Sequence, residues 1–198
     1  MIHATRDRGG AATPSFVSIV NSVYITQESI MAKTIDKRMT GRVDGEFVVF
    51  LIGMRVNRWW RVWRWLRVAL AMPRMIRELQ SKPELGLLGV EQWFGRTTIM
   101  VQYWRSMDQL MAYARSRTSD HLPAWKEFNK RVGTNGDVGI WHETYRVRPG
   151  DFENVYVNMV PFGLGAAGQL VEASGHYARA EGRLAAHAPA VAPAPDAR

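Results

Sequence analysis

A nearly continuous apolar run, FVVFLIGMRV at residues 47–56, opens the folded part of the chain. Such a run marks a strand buried on both faces rather than one. An arginine-rich stretch follows at 58–80, where Val62, Leu66, Ala69, Met72, Ile76 and Leu79 recur at three- and four-residue steps. That spacing lines one face of a helix, which Pro73 is expected to bend or break midway. Residues 86–94 and 97–104 read as two strands around Gly95-Arg96, a short hairpin. Ser106 with Gln109 three residues on is a capping box for a helix carrying Leu110, Met111 and Ala114. Another helix starts near Pro123 and ends before Gly133, and Asn135-Gly136 turns the chain. Residues 138–147 form a fourth strand and 155–159 a fifth.

The order is strand, helix, strand, strand, helix, strand. This predicts an α+β fold of the split βαβ, ferredoxin-like type. Its own helices cover one face of the sheet. The other face needs a partner, and the doubly apolar first strand points to an identical sheet in a homodimer. Residues 1–34 read as an irregular extension, with Met31 as an alternative start. Residues 35–170 read as the domain, and 171–198 as an Ala/Pro-rich tail too poor in large apolar groups to pack.

Three segments carry a family resemblance: HLPAWKEFNKRV, GDVGIWHETYRV and ENVYVNMVPFGLG. In this order they resemble a monooxygenase-like family of the dimeric α/β-barrel superfamily, formerly a domain of unknown function. Val160 stands where the family pattern has a second proline beside Pro161. The resemblance implies a dimeric α/β barrel made of two such βαββαβ sheets. Related proteins include cofactor-free oxygenases, haem-degrading oxygenases, haem-dependent aldoxime dehydratases and small ligand-binding modules, so fold alone does not fix function.

Composition narrows the chemistry. There is no cysteine, which removes disulfides, thiolate metal sites and a cysteine nucleophile. The net charge of +8 admits an anionic partner. Its arginines are scattered, however, and no basic tract or nucleic-acid-binding motif is present, so no nucleic acid is expected. Neither a secretory signal nor a run of 18 apolar residues is seen, and a cytoplasmic location is expected. GLGAAG at 163–168 follows no first strand of a βαβ unit; it reads as a turn, not a nucleotide loop. The five histidines are dispersed without metal-ligand spacing, so no metal is expected.

The candidate site residues lie between 121 and 145. His121, Trp125 and Asn129 are spaced four apart and share a helix face. On the fourth strand Ile140, His142 and Thr144 point one way, and Trp141, Glu143 and Tyr145 the other. His142, His121 and Glu143 are the candidate catalytic groups, because imidazole and carboxylate side chains move protons. Trp125, Asn129, Trp141 and Tyr145 are the candidate substrate-binding groups. Each also has a purely structural reading: Trp125 as core, Asn129 as solvated, His121 as a helix cap, His142 as a buried, satisfied histidine. Glu143 is expected to pair with Arg55, Arg105 or Arg146, since a buried lone carboxylate is costly.

Residues 59–67 hold four tryptophans and three arginines. Four indoles cannot all pack on one sheet, so helix 58–72 offers a subunit interface, a pocket mouth or a peripheral membrane contact. The resemblance then implies oxidation of an aromatic or polyketide-like small molecule without a cofactor. The alternatives are a haem enzyme like the aldoxime dehydratases, with a histidine axial ligand, and a non-catalytic module that binds hydrophobic ligand or membrane surface.

Overall fold

The structure, a computed structural model, describes residues 33–116 and 136–187. Two antiparallel sheets form it. The larger has four strands in the order β3-β4-β2-β5, with β2 at Phe47–Val56, β3 at Leu87–Trp93, β4 at Ile99–Trp104 and β5 at Val138–Val147. Helix α1, Val62–Ser81, joins β2 to β3, and helix α2, Met107–Arg115, follows β4. The βαββαβ succession read from the sequence is therefore present, and the fold is α+β. β2 is central, paired along its whole length with β5 and with β4 over Val48–Ile52. Its unbroken apolar run follows from that position, because neither face meets open water along most of its length.

The register divides the sheet cleanly into two faces. Val48 lies opposite Trp104 and Arg146, and Ile52 opposite Met100 and His142. These alternate residues form the side on which α1 lies. Val48, Leu79, Trp104, Leu110 and Tyr113 make one buried cluster there, and Trp65 with Val138 makes a second. Fully burying each large apolar side chain contributes roughly 1.5–3 kcal/mol.

Pro73 does not interrupt α1, which runs through all 20 residues. A proline removes one backbone hydrogen bond. Here burial offsets that loss on both sides of it: Trp65 and Leu66 pack in one cluster, and Ile76 and Leu79 in the other. Ser106 caps α2, its Oγ accepting the Gln109 N–H at 3.1 Å. The Gln109 side chain donates instead to the Glu84 carbonyl at 3.0 Å, tying α2 to the turn before β3.

The start of α1 has no side-chain cap and no acidic residue in its first turn. Asp137, at the foot of β5, holds it. The carboxylate is fully buried and meets Arg58 at 2.9 Å, Arg61 at 3.3 Å and Arg64 at 2.8 Å. Its backbone carbonyl accepts the Asn57 and Arg58 N–H groups.

A second sheet, in the order β6-β1-β7, was not anticipated in this form. β1 is Ile35–Arg42, β6 is Tyr156–Met159 and β7 is Gln169–Glu172. The fifth strand expected at 155–159 thus exists, but it pairs with β1 rather than with the larger sheet. A helical turn α3, Leu164–Ala167, precedes β7. Here Gly41 of β1 and Gly165 of GLGAAG allow close contact: a Cβ on Gly41 would sit 2.8 Å from Gly165 Cα, and one on Gly165 2.9 Å from the Tyr156 ring.

The irregular tail expected from residue 171 is corrected for residues 171–187. They complete β7 and form helix α4, Ala180–His187. The small residues there gave little apolar signal. Two polar residues anchor the segment: buried Arg183 pairs with Glu153, and His187 stacks on Phe152, which meets Phe47 edge-on.

Burial alone would raise the Asp137 pKa, but the Arg58 hydrogen bond and the charges of Arg61, Arg64 and Arg58 outweigh it and hold it below its ordinary 3.8. A depressed carboxylate stabilises the fold above that value and ceases to as pH falls through the folded pKa. Asp137→Asn is therefore expected to melt well below wild type at neutral pH. The gap should narrow as pH drops below about 4. Thermal unfolding of both proteins across that range checks this.

Candidate functional site

Between α1 and the sheet lies a cavity of about 290 Å³. That is near the lower end of small-molecule sites, roughly 300–1,000 Å³. Ile52, Met54, Met100 and Ile140 line it from the strands, and Leu66 and Ala69 from α1. The wall is almost wholly apolar because every strand residue on this side alternates toward the helix. Among the described residues two polar side chains reach it, Thr98 and Gln92. Thr98 is already committed: its Oγ1 accepts the Met54 N–H at 3.0 Å. The Gln92 amide has no hydrogen bond within the described chain, which leaves it available to a ligand.

A second glutamine sits deeper on the same face. Gln102 is buried, accepts from Trp104 Nε1 at 2.9 Å and donates to Met100 Sδ at 3.1 Å. It thereby fixes Met100, one of the cavity's walls.

The seven sequence candidates separate. Ile140, His142 and Thr144 project toward the α1 side, which the sequence left open. His142 pairs with Ile52 and lies two residues from Ile140, both cavity residues. It sits beside the cavity, exposed, with its ring 5.8 Å from Phe50. It is thus not the buried histidine expected for a residue on the helix side.

Trp141, Glu143 and Tyr145 project from the opposite face. Glu143 is exposed and accepts a short hydrogen bond from the Tyr145 hydroxyl, which raises the Tyr145 pKa. The arginine partner expected for Glu143 is absent among the described residues; Arg146 pairs with Glu46 instead. Exposure removes the need for one. The indole N–H of Trp141 is buried without an acceptor. His142 and Glu143 therefore cannot act on one face of this sheet. His121, Trp125 and Asn129 lie outside the described residues.

Gln92 was missed. The signal was present in LLGVEQW, where Gln92 shares a strand face with Val90, but the face could not be assigned before the register was known. No group of three metal-ligating side chains occurs among the described residues.

A polar group also forms on the far face. Glu91 accepts the Gly163 N–H at 2.8 Å and Tyr156 Oη accepts the Gly165 N–H at 3.1 Å, docking the 163–165 backbone on the sheet. Burial raises the Glu91 pKa, and the Gly163 N–H opposes it only in part. Burial also raises Tyr103 and Tyr156.

The comparisons fall on this framework. Residues 47–164 match the family described as Monooxygenase af470-like. The chain belongs to that family. It is 30% identical over 186 residues to "Monooxygenase af470" of Aspergillus fumigatus, covering 78% of this chain. The chain spans 66% of that relative's length. Among solved structures, a crystal structure of aldoxime dehydratase superposes with a TM-score of 0.44 at 16% identity, covering 75% of this chain and 42% of that one.

A raised carboxyl pKa means that Glu91 stabilises the fold below its ordinary 4.5 and loses this as pH rises through the folded value. Glu91→Gln keeps an acceptor for Gly163 without the buried charge. It should melt at or above the wild-type temperature at neutral pH, with the difference vanishing below about pH 4.5. Glu91→Ala strands the Gly163 N–H and should melt lower at both pH values. Calorimetry of the three proteins decides it.

Proposed function

We propose that this chain is a monooxygenase that oxidises an aromatic or polyketide-like small molecule, without a cofactor, in the cavity beneath α1. One observation carries the reading: an apolar cavity with, among the described residues, a single uncommitted polar side chain, Gln92. Such a site takes an apolar body and orients it by one polar group. Family membership favours oxygen chemistry, and His142 at the cavity's edge supplies a proton acceptor.

The steps balance without an external reductant. A base, His142 in this reading, removes an acidic C–H proton from the substrate. The carbanion gives one electron to dioxygen, and the two radicals combine to a peroxide. Loss of water then leaves a carbonyl at the former CH2 carbon. The substrate supplies all the electrons. Gln92 would hold an oxygen of the substrate and stabilise the negative charge as it forms. His121, Trp125 and Asn129 belong to the same proposal as further base and substrate contacts.

The haem alternative is less well supported, because no histidine lines the cavity among the described residues. In this reading a second copy of the chain covers the far face of the sheet, where Trp93 and Tyr145 are exposed.

The test is oxygen uptake by the purified protein with hydroxylated polycyclic aromatic ketones, after chelation and with the absorption spectrum recorded. Uptake should persist without added metal, and no Soret band should be present. His142→Gln should lower kcat by about 10²–10⁴-fold with KM little changed. Ala69→Phe fills the cavity and should abolish both turnover and binding of an apolar fluorescent probe such as Nile red. Full activity in both variants, or a Soret band tied to activity, would overturn the reading.

A further inference from the structure

The cavity leaves the outer face of α1 and the loop before it unexplained. Trp59, Trp60 and Trp63 are 72%, 60% and 76% exposed. Three indoles displayed together are costly to leave in water, since each offers 150–250 Å² of largely apolar surface. Trp59 and Trp60 are held, not loose. Trp59 and Trp60 meet edge to face at 6.1 Å, and the Trp59 carbonyl accepts the buried Trp65 indole N–H at 3.0 Å.

The patch extends along the helix. Leu70, 49% exposed, is seven residues from Trp63 and so lies on the same stripe. Val62, 41% exposed, adjoins it, and both Val62 and Leu70 also line the cavity. The exposed apolar surface thus runs into the rim of the cavity.

Its charge is one-signed. Residues 57–77 contain six arginines and no acidic residue. Three of these, Arg58, Arg61 and Arg64, remain 43–45% exposed while gathered on one buried carboxylate. The chain as a whole carries +8. No helix of the described residues is long and apolar enough to cross a membrane.

We propose that this face, Trp59, Trp60, Trp63 and Leu70 framed by arginines, docks on the surface of an anionic lipid bilayer. The indoles would lie at the headgroup level, where an apolar body with one N–H donor is best satisfied. The arginines would meet lipid phosphates. A second copy of this chain is the poorer occupant. A two-fold interface would set each arginine cluster against its own image, whereas an anionic surface complements it. Docking does not depend on the oxygenase reading.

The full chain, mixed with vesicles of phosphatidylcholine alone or with added phosphatidylglycerol, tests this by co-sedimentation and tryptophan emission. Arg58, Arg61 and Arg64 are unsuitable targets because they hold Asp137, so lipid charge and salt probe the electrostatic part. The expected result is co-sedimentation and a blue shift with anionic vesicles, falling at least about tenfold with neutral ones. Binding should also weaken strongly at about 1 M salt, where the screening length is about 3 Å. Replacing Trp59, Trp60 and Trp63 together by Ser should reduce partition by at least about tenfold. Circular dichroism and melting temperature should stay unchanged, because the retained contacts are backbone ones. Absence of binding to anionic vesicles, equal binding to neutral ones, or full binding by the triple variant would overturn the proposal. So would conversion of a wild-type dimer to a monomer in that variant, which would assign the patch to self-association.

Discussion

The placement of α1 depends on one buried carboxylate. Asp137 is fully removed from solvent, yet it meets Arg58, Arg61 and Arg64, and its own carbonyl receives the Asn57 and Arg58 N–H groups. A buried charge without partners is among the most costly arrangements in a protein, and with partners it fixes geometry strongly. Here it joins the first residue before β5 to the start of α1, two elements separated by most of the larger sheet in sequence. That bond sets the height of the helix over β2 and β5. The cavity lies where α1 is held toward its N-terminus by charge and the Trp65 cluster and toward its C-terminus by the Leu79 cluster, with Ala69 and Met72 facing it between the two.

Strand alternation then decides which chemistry each side of the sheet receives. In and around the cavity on the α1 side the polar groups are Thr98, Gln102, Gln92 and His142. The first two are consumed internally. On the other side Glu91 and Tyr103, together with Tyr156 of the smaller sheet, surround the 163–165 backbone and hold it, so their raised pKa values follow from burial in a structural task. A perturbed carboxylate is often a mark of function. Here its partner is the Gly163 N–H, and the unpartnered amide of Gln92 is the better pointer to a ligand.

Much of the larger sheet was legible. The apolar run of β2, the hairpin of β3 and β4, the Ser106 cap and β5 all follow from local pattern, since each element's signal is carried within its own residues. Other features were not, or only in part. Pro73 argued for a broken helix, but tertiary packing at Leu66 and Leu79 overrode a local rule. β1 and β7 pair segments some 130 residues apart, and IDKRMTGR and QLVE are too short and polar to announce strands. The candidate site was half visible: alternation put His142 and Glu143 on opposite faces, but only the register with Ile52 and Leu51 shows which face meets α1. Asp137 drew no reading at all, because nothing local distinguishes a carboxylate that three distant arginines will bury.

The apolar character of the cavity also bears on where a proton could go. A carbanion formed deep in such a volume would be poorly solvated, so a base buried there would gain little by accepting the proton and becoming charged. A base at the edge avoids this penalty, because its cationic form remains in contact with water. His142 has that position: its strand neighbours Ile140 and the opposing Ile52 line the cavity, while the ring itself is exposed beside Phe50. On the same reasoning a single amide would suffice inside under the proposed function. Gln92 can compensate negative charge on a substrate oxygen without bringing a charge of its own into the apolar wall, which a lysine or arginine there would do only at a large desolvation cost.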